Sequence, residues 1–368
     1  MVGLIAIPLA VGGGHGSLPV AVYGARILLL HFPVLFLFAS VFNREDVWLF
    51  AKAFLLIAIP MTLLLGLQFY LPQTHLVNVG VGGDGTSVFA GAAGRHRSSG
   101  TFSFTNGLSS FYAIAGALFA GWITCGPRPI PKWVWITGGC LIVALPLTIS
   151  RALAFQYALT VVFTVMAVGI SPKLLKSLVP ALIGFLIVGA IVSQTEVFQT
   201  AMEPFTKRWE NATESEGGDD GVAGVLQNRV LQYGLLSAFE SSDQIPWQGL
   251  GIGMGTNVGA KMLTGKRTFL IAEGGWGAML GELGPILGGF LILYRVCFTT
   301  ILFAMSVVAV RRGNPLPLIL GSVAIHTMFM GNTAQPTALG FIVLNSGMLL
   351  AALRMPRRKA NSAKLQAA

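Results

Sequence analysis

The chain has 368 residues, of which 54% are hydrophobic and 10% charged, and a mean hydropathy of +0.73; a soluble domain carries about 25% charged residues. Its apolar residues come in unbroken blocks of about 20, the length a helix needs to cross ~30 Å of hydrocarbon, which excludes a soluble domain and, because barrel strands are short and alternating, a β-barrel. The formal charge of +10 has the sign of a nucleic-acid binder, but most basic residues sit in short connectors between apolar blocks, where they orient helices, so no nucleic-acid partner is expected.

The first dozen residues are apolar but lack a basic leader, so they read poorly as a signal peptide and look like the tail of a helix whose beginning is missing. Nine spans follow, at about 18–42, 47–71, 104–125, 132–149, 152–170, 174–193, 277–310, 315–331 and 336–354. The expected fold is all-α: a polytopic transmembrane bundle, truncated at its amino end, with one large periplasmic loop between the sixth and seventh spans. The stretch 277–310 is too long for one perpendicular span, and Gly284-Pro285 is expected to divide an interfacial piece from the span proper. Cys125, Cys140 and Cys297 fall in or beside apolar segments without a CxxC or Cys/His pattern, so neither a disulfide nor a zinc site is expected.

Taking 43–46 as cytoplasmic and alternating puts 13 of the 24 basic residues inside, among them Arg128, Lys132, Lys173, Lys176, Arg311 and Arg312. The same alternation puts Arg95, Arg97, Arg151, Lys207, Arg208, Arg229, Lys261, Lys266 and Arg267 outside and leaves Arg26 and Arg295 within apolar blocks. The chain thus divides into N-terminal transmembrane helices over 1–193 with an outer loop at 72–103, a periplasmic loop over 194–276, C-terminal transmembrane helices over 277–355 and a basic cytoplasmic tail over 356–368. The large loop has ten acidic residues against six basic. It has a polar tract, ENATESEGGDDG, that reads as flexible. An amphipathic helix over about 222–240 follows, and then WQGLGIGMGTN with alternating Gly249, Gly251, Gly253 and Gly255.

HExxH, GxSxG, P-loop and DxD patterns are absent, which argues against a zinc protease, a serine hydrolase and a nucleotide-driven pump. The alternating glycines read either as a tight irregular turn or as a backbone nest for an anion. Outward arginines beside helix ends carry the remaining chemistry. Arg97 precedes Ser98-Ser99-Gly100-Thr101 and a helix starting near Asn106, where backbone N–H groups favour anions and an arginine fork holds phosphate bidentately. Arg151 sits in a turn with almost no loop to keep it in water, and Arg229 lies within the amphipathic loop helix. Three arginines from three segments are positioned in sequence to converge on one anionic group. Each also has a plainer reading: Arg97 snorkelling to headgroups, Arg151 capping a helix end, Arg229 pairing with a loop acid such as Glu240. His96 reads as a solvated loop histidine or as a base.

The order of these features resembles the O-antigen ligase and O-antigen polymerase superfamily. The carrying residues are Arg97 to Asn106, Ser150-Arg151, Arg229 followed by Pro246-x-x-Gly-x-Gly-x-Gly253, and the Glu282-Leu283-Gly284 turn, within a resemblance that covers about 20–355. It implies a polytopic, cofactor- and metal-independent glycosyltransferase of the bacterial inner membrane, acting in polysaccharide or lipopolysaccharide biosynthesis. Such an enzyme moves a glycan from an undecaprenyl-pyrophosphate carrier to lipid A core or another glycan at the periplasmic face, among membrane lipids. Arg97, Arg151 and Arg229 then take the pyrophosphate-binding roles, with Arg229 also serving the chemistry. One departure stands out. The family carries a His-Asn pair before the Glu-Leu-Gly turn, whereas here the stretch reads LIAEGGWGAMLGELGP. Glu273 is the replacement base this implies; a base elsewhere (His96, Glu282), a different acceptor and loss of activity stay open. A transporter or flippase, or a non-catalytic subunit of polysaccharide export, are the competing functions.

Overall fold

A computed structural model of the chain describes residues 1–78, 89–216, 221–228, 236–240, 245–266, 270–272 and 274–354. The protein is 78% helical, with almost no sheet. Among the described residues, seven helical stretches are long and apolar enough to cross a membrane: Leu18–Val41, Glu45–Tyr70, Thr105–Cys125, Arg151–Ile170, Pro172–Ser193, Gly275–Arg311 and Pro336–Arg354. In chain order the helices are α1 (Val2–Gly12), α2 (Leu18–Arg26), α3 (Phe32–Val41), α4 (Arg44–Tyr70), α5 (Thr105–Cys125), α6 (Lys132–Leu147), α7 (Arg151–Ile170) and α8 (Leu175–Ser193). They continue with α9 (Glu196–Glu216), α10 (Gly221–Gln227), α11 (Ser237–Glu240), α12 (Asn257–Thr264), α13 (Gly275–Arg311), α14 (Leu316–Met330) and α15 (Pro336–Arg354). A π-helical turn, Ile27–His31, joins α2 to α3. Two of the nine expected spans, α6 and α14, have 16 and 15 residues and so reach only about 24 and 22 Å.

The apolar blocks become helices because nothing else satisfies their backbone in hydrocarbon. Polar caps set the ends: Asn43 accepts from the Glu45 and Asp46 amides while the Asp46 carboxylate accepts from the Asn43 amide, a reciprocal box that starts α4. α5 is the centre of the bundle. It has no charged residue, and most of its length is buried against α4, α7, α14 and α15. Small residues let neighbouring backbones approach, the usual basis of helix packing in membranes.

α13 is interrupted where the sequence predicts. Gly284 has φ 75° and ψ 171°, a conformation open to glycine, and Pro285 follows it. The two pieces fold back on each other: a Cβ on Gly288 would lie 2.8 Å from the Met279 carbonyl oxygen, a residue about 13 Å away along a straight helix. Arg295, fully inside the bundle, joins the fold-back to α14. Its guanidinium donates to the carbonyls of Met328 (2.6 Å), Gly331 (2.8 Å) and Thr327 (3.4 Å), closing the C-terminal end of α14.

One expectation needs correction, and two features were not anticipated. The loop over 72–103 contains a short antiparallel pair, β1 (Phe89–Ala92) and β2 (Arg95–Arg97), within a fold that is otherwise helical. The first residues form α1, which packs with α2. The first half of the polar tract, Glu210 to Glu216, is the last part of α9, not a flexible segment. α9 is helical because Phe198, Ala201, Phe205, Trp209 and Ala212 repeat at helical spacing, with Ala201 and Ala212 buried.

Candidate functional site

Several helices start at one end of the bundle around a cavity of about 880 Å³. The first turns of α5, α12, α13 and α15 supply Asn106, Asn257, Gly275 and Thr337 to its wall, and Ala152 comes from the first turn of α7. Backbone N–H groups at a helix start have no intrahelical partner and carry the positive end of the helix dipole. At α5 and α13 no side chain caps them. Lys261 on α12 adds a formal positive charge to the wall. The geometry favours an anion without needing many cations.

A second feature of this cavity is a polar pair between helices. Gln156 on α7 is 8% exposed and hydrogen-bonds His326 Nδ1 on α14, whose ring also meets the Phe155 ring edge-on. The bond to Nδ1 leaves Nε2 as the imidazole nitrogen available to a ligand. Next to it, Ser150 accepts from the Leu153 amide as the cap of α7 and bonds Ser109 on α5 at 2.9 Å.

The alternating glycines have a structural explanation. The loop 247–255 lies backbone-to-backbone on the α13 break: the Leu250 and Gly251 amides donate to the Gly281 and Glu282 carbonyls. The nest this creates is filled from inside the protein, because the Gly255 amide donates to Glu282 Oε1 at 2.8 Å. Gly253, at φ 95°, shows why no side chain fits; a Cβ there would lie 2.2 Å from the Val20 carbonyl oxygen. The loop then turns at Thr256, which caps α12 by accepting from the Gly259 amide. Through this chain Glu282 positions α12, and Asn257, bonded to Gln335 at 3.1 Å, and Lys261 reach the cavity. Of the two readings of the glycines, the turn holds, with the acceptor for the Gly255 amide being the protein's own Glu282 side chain.

Neither Arg97 nor Arg151 lines this cavity. Arg151, the first residue of α7, pairs with Glu216 on α9 at 3.5 Å. A cation at a helix start opposes the dipole, and the carboxylate offsets that. Arg97 is in β2, whose partner strand β1 packs on α9. Arg229 and Glu273 both lie outside the described residues. Their chain neighbours are described: Asn228 donates to the Glu216 carbonyl at 2.6 Å, and Gly274 lines the cavity. α9 is therefore the element bordered by Arg151, by the Arg97 hairpin and by the residue before Arg229.

The hairpin itself is fastened to the end of α4. Gln68, 4% exposed, accepts from the Gly100 amide at 2.8 Å and donates to the Val77 and Gly100 carbonyls. Arg95 donates to the Phe69 carbonyl at 3.2 Å and lies over the Phe69 ring. His96 is half-buried rather than solvated; burial, first, and the Arg95 charge hold its imidazole below the ordinary histidine range, against a backbone hydrogen bond at Gln68 that raises it. Sequence reasoning missed Gln156, His326, Asn257 and Lys261 as a group, because each is a lone polar residue in its own segment. No family model, curated protein or solved structure matches the chain.

Proposed function

We propose that this protein transfers a glycan from an undecaprenyl-pyrophosphate carrier to lipid A core or another glycan, at the periplasmic face of the bacterial inner membrane. In this reading the chain crosses the membrane nine times, with 194–276 on the periplasmic side. The observation that carries the proposal is the cavity where the uncapped starts of α5 and α13 meet Lys261. A pyrophosphate leaving group gathers negative charge as the glycosidic bond breaks, and fixed positive groups already in place lower that barrier. A cavity of this volume is within the range of small-ligand sites, about 300–1,000 Å³, and accommodates a pyrophosphate with its first sugar.

Arg151, the residue before the cavity-lining Ala152, is a secondary charge partner in this reading, with Arg97 and Arg229 further ones by their place in the chain. Glu273, one residue before the cavity-lining Gly274, is the first candidate for the base that takes the acceptor hydroxyl proton. His326, held by Gln156, is the second. The test is the pool of undecaprenyl-pyrophosphate-linked glycan in a deletion strain against its parent, by lipid extraction and mass spectrometry. Long chains accumulating on the carrier indicate ligation, and single repeat units indicate polymerisation. An unchanged pool refutes transfer. Complementation with Lys261→Ala is expected to restore transfer only in part, lowering its rate about tenfold if one charge contact of about 1.4 kcal/mol is lost in the transition state.

A further inference from the structure

A second cavity, of about 370 Å³, lies between α2–α3 and the amino-terminal half of α15. It shares Pro336 with the larger cavity, so the two flank the first turn of α15. Its walls are aliphatic and aromatic apart from Tyr23, Arg26, His31 and Thr333. Arg26 lies eight residues into the membrane-length stretch Leu18–Val41, about 12 Å along the axis. The π-helical turn Ile27–His31 directly follows it and ends at His31; single wide turns of this kind occur mostly inside α-helices, frequently at functional sites.

The Arg26 guanidinium stacks over the Tyr23 ring at 3.7 Å. Its Nε is buried without a hydrogen-bond partner, as is Nδ1 of His31. Among the described residues no carboxylate pairs with Arg26. Arg295 makes the comparison. It too lies in an apolar block, but three backbone carbonyls take up its N–H groups. Arg26 has the cost of a cation at membrane depth without that compensation, and such residues mark ligand sites. The anion that reaches this depth carries its own apolar tail: the rest of the cavity is Val34, Phe38, Leu339, Val343 and Leu344. The adjoining helix surface exposes Leu30 and Leu37, at 65% and 58%.

We propose that this cavity binds the phosphate headgroup of an anionic glycerophospholipid, with Arg26 pairing the phosphate, His31 contacting the headgroup and an acyl chain lying along Val34, Phe38 and Leu344. The site is separate from the glycan-transfer reading and stands without it. The experiment is a native mass spectrometry titration of the full chain in detergent with phosphatidylglycerol, with phosphatidylcholine as the zwitterionic control and inorganic phosphate as competitor. Two variants are compared: Arg26→Gln, and Gly340→Leu, whose new side chain starts in open space beside the cavity because a Cβ there meets nothing within 4 Å. One phosphatidylglycerol is expected to bind saturably, about tenfold more weakly in either variant through loss of one charge-assisted contact or of the space for the chain. Inorganic phosphate is expected not to compete. Unchanged phosphatidylglycerol binding in both variants overturns the proposal, as does equal binding of phosphatidylcholine. Displacement by inorganic phosphate overturns the lipid source in favour of a soluble anion. If Arg26→Gln fails to fold, Gly340→Leu decides alone.

Discussion

Glu282 and Arg295 show how single charged side chains are used inside this bundle. Each faces backbone: Glu282 takes the Gly255 amide, and Arg295 closes three carbonyls at the end of α14. Removing either leaves buried backbone polar groups unpaired, which costs more than the net worth of the bond. Arg295→Leu is expected to lower stability by about 3 kcal/mol, with Arg295→Lys recovering part of it, because an ammonium cannot reproduce the fork. Thermal unfolding in detergent measures both, and a Leu variant as stable as the parent would sink the assignment. Glu282→Ala is expected to cost about 2 kcal/mol and to loosen α12, whereas Glu282→Gln retains an acceptor for Gly255 and most of the stability. Hydrogen exchange over 255–264 separates the two. The sequence made Arg295 conspicuous as a charge within an apolar block, but its role depends on carbonyls more than 30 residues away. His326 was harder to recognise. It is a lone histidine in an apolar helix, and its partner Gln156 lies 170 residues earlier.

Helices longer than a membrane is thick were legible from apolar block length alone, and so was the α13 break, because Gly-Pro removes both a helical φ and an amide donor. α9 was not. Its acidic tract hides the apolar repeat from Phe198 to Ala212, and composition outweighed periodicity. The β1–β2 hairpin was missed because strands of four and three residues leave no period to read. Two predictions belong to these elements. Gly284→Ala forces a side chain into a positive-φ position, with its Cβ 2.1 Å from the Trp247 carbonyl oxygen. It is expected to cost more than the ~1 kcal/mol of a strained φ alone and to raise proteolysis in 247–255. The hairpin should respond to acid. His96 titrates below its unfolded value in the folded chain, so the unfolded form binds more protons in the window below about 6.5. Stability of the hairpin therefore falls as pH drops from neutral through that window and is regained above it. Hydrogen exchange over 95–100 at pH 7 and pH 5 reads this; His96→Gln should flatten the difference, and an equal pH response in the variant would assign it elsewhere.

Across the whole molecule, helix direction and side-chain charge divide the work between the two ends. At one end α5, α7, α13 and α15 begin around the larger cavity, and the starts of α5 and α13 have no side-chain cap from their N-cap residues. At the other end helices finish, and basic side chains cover their carbonyls: Arg128 donates to Ile123 at 2.7 Å and Arg354 to Ala39 at 2.9 Å. Cations at helix C-termini are favourable on their own account. The same residues are those the positive-inside rule assigns to the cytoplasm, so helix direction is compatible with the proposed orientation. In the proposed orientation the end with the cavity faces the periplasm, and its positive potential comes from backbone as much as from Lys261. The prediction follows at this scale. In a chain with Cys125, Cys140 and Cys297 replaced, a single cysteine at Lys261 is expected to react with a membrane-impermeant maleimide in cells whose outer membrane is permeabilised. One at Lys173, in the α7–α8 connector, is expected to react only after the inner membrane is broken. The reverse pattern would put the cavity in the cytoplasm, where lipid-linked periplasmic glycans do not reach it, and both the orientation and the transfer reading would fall together.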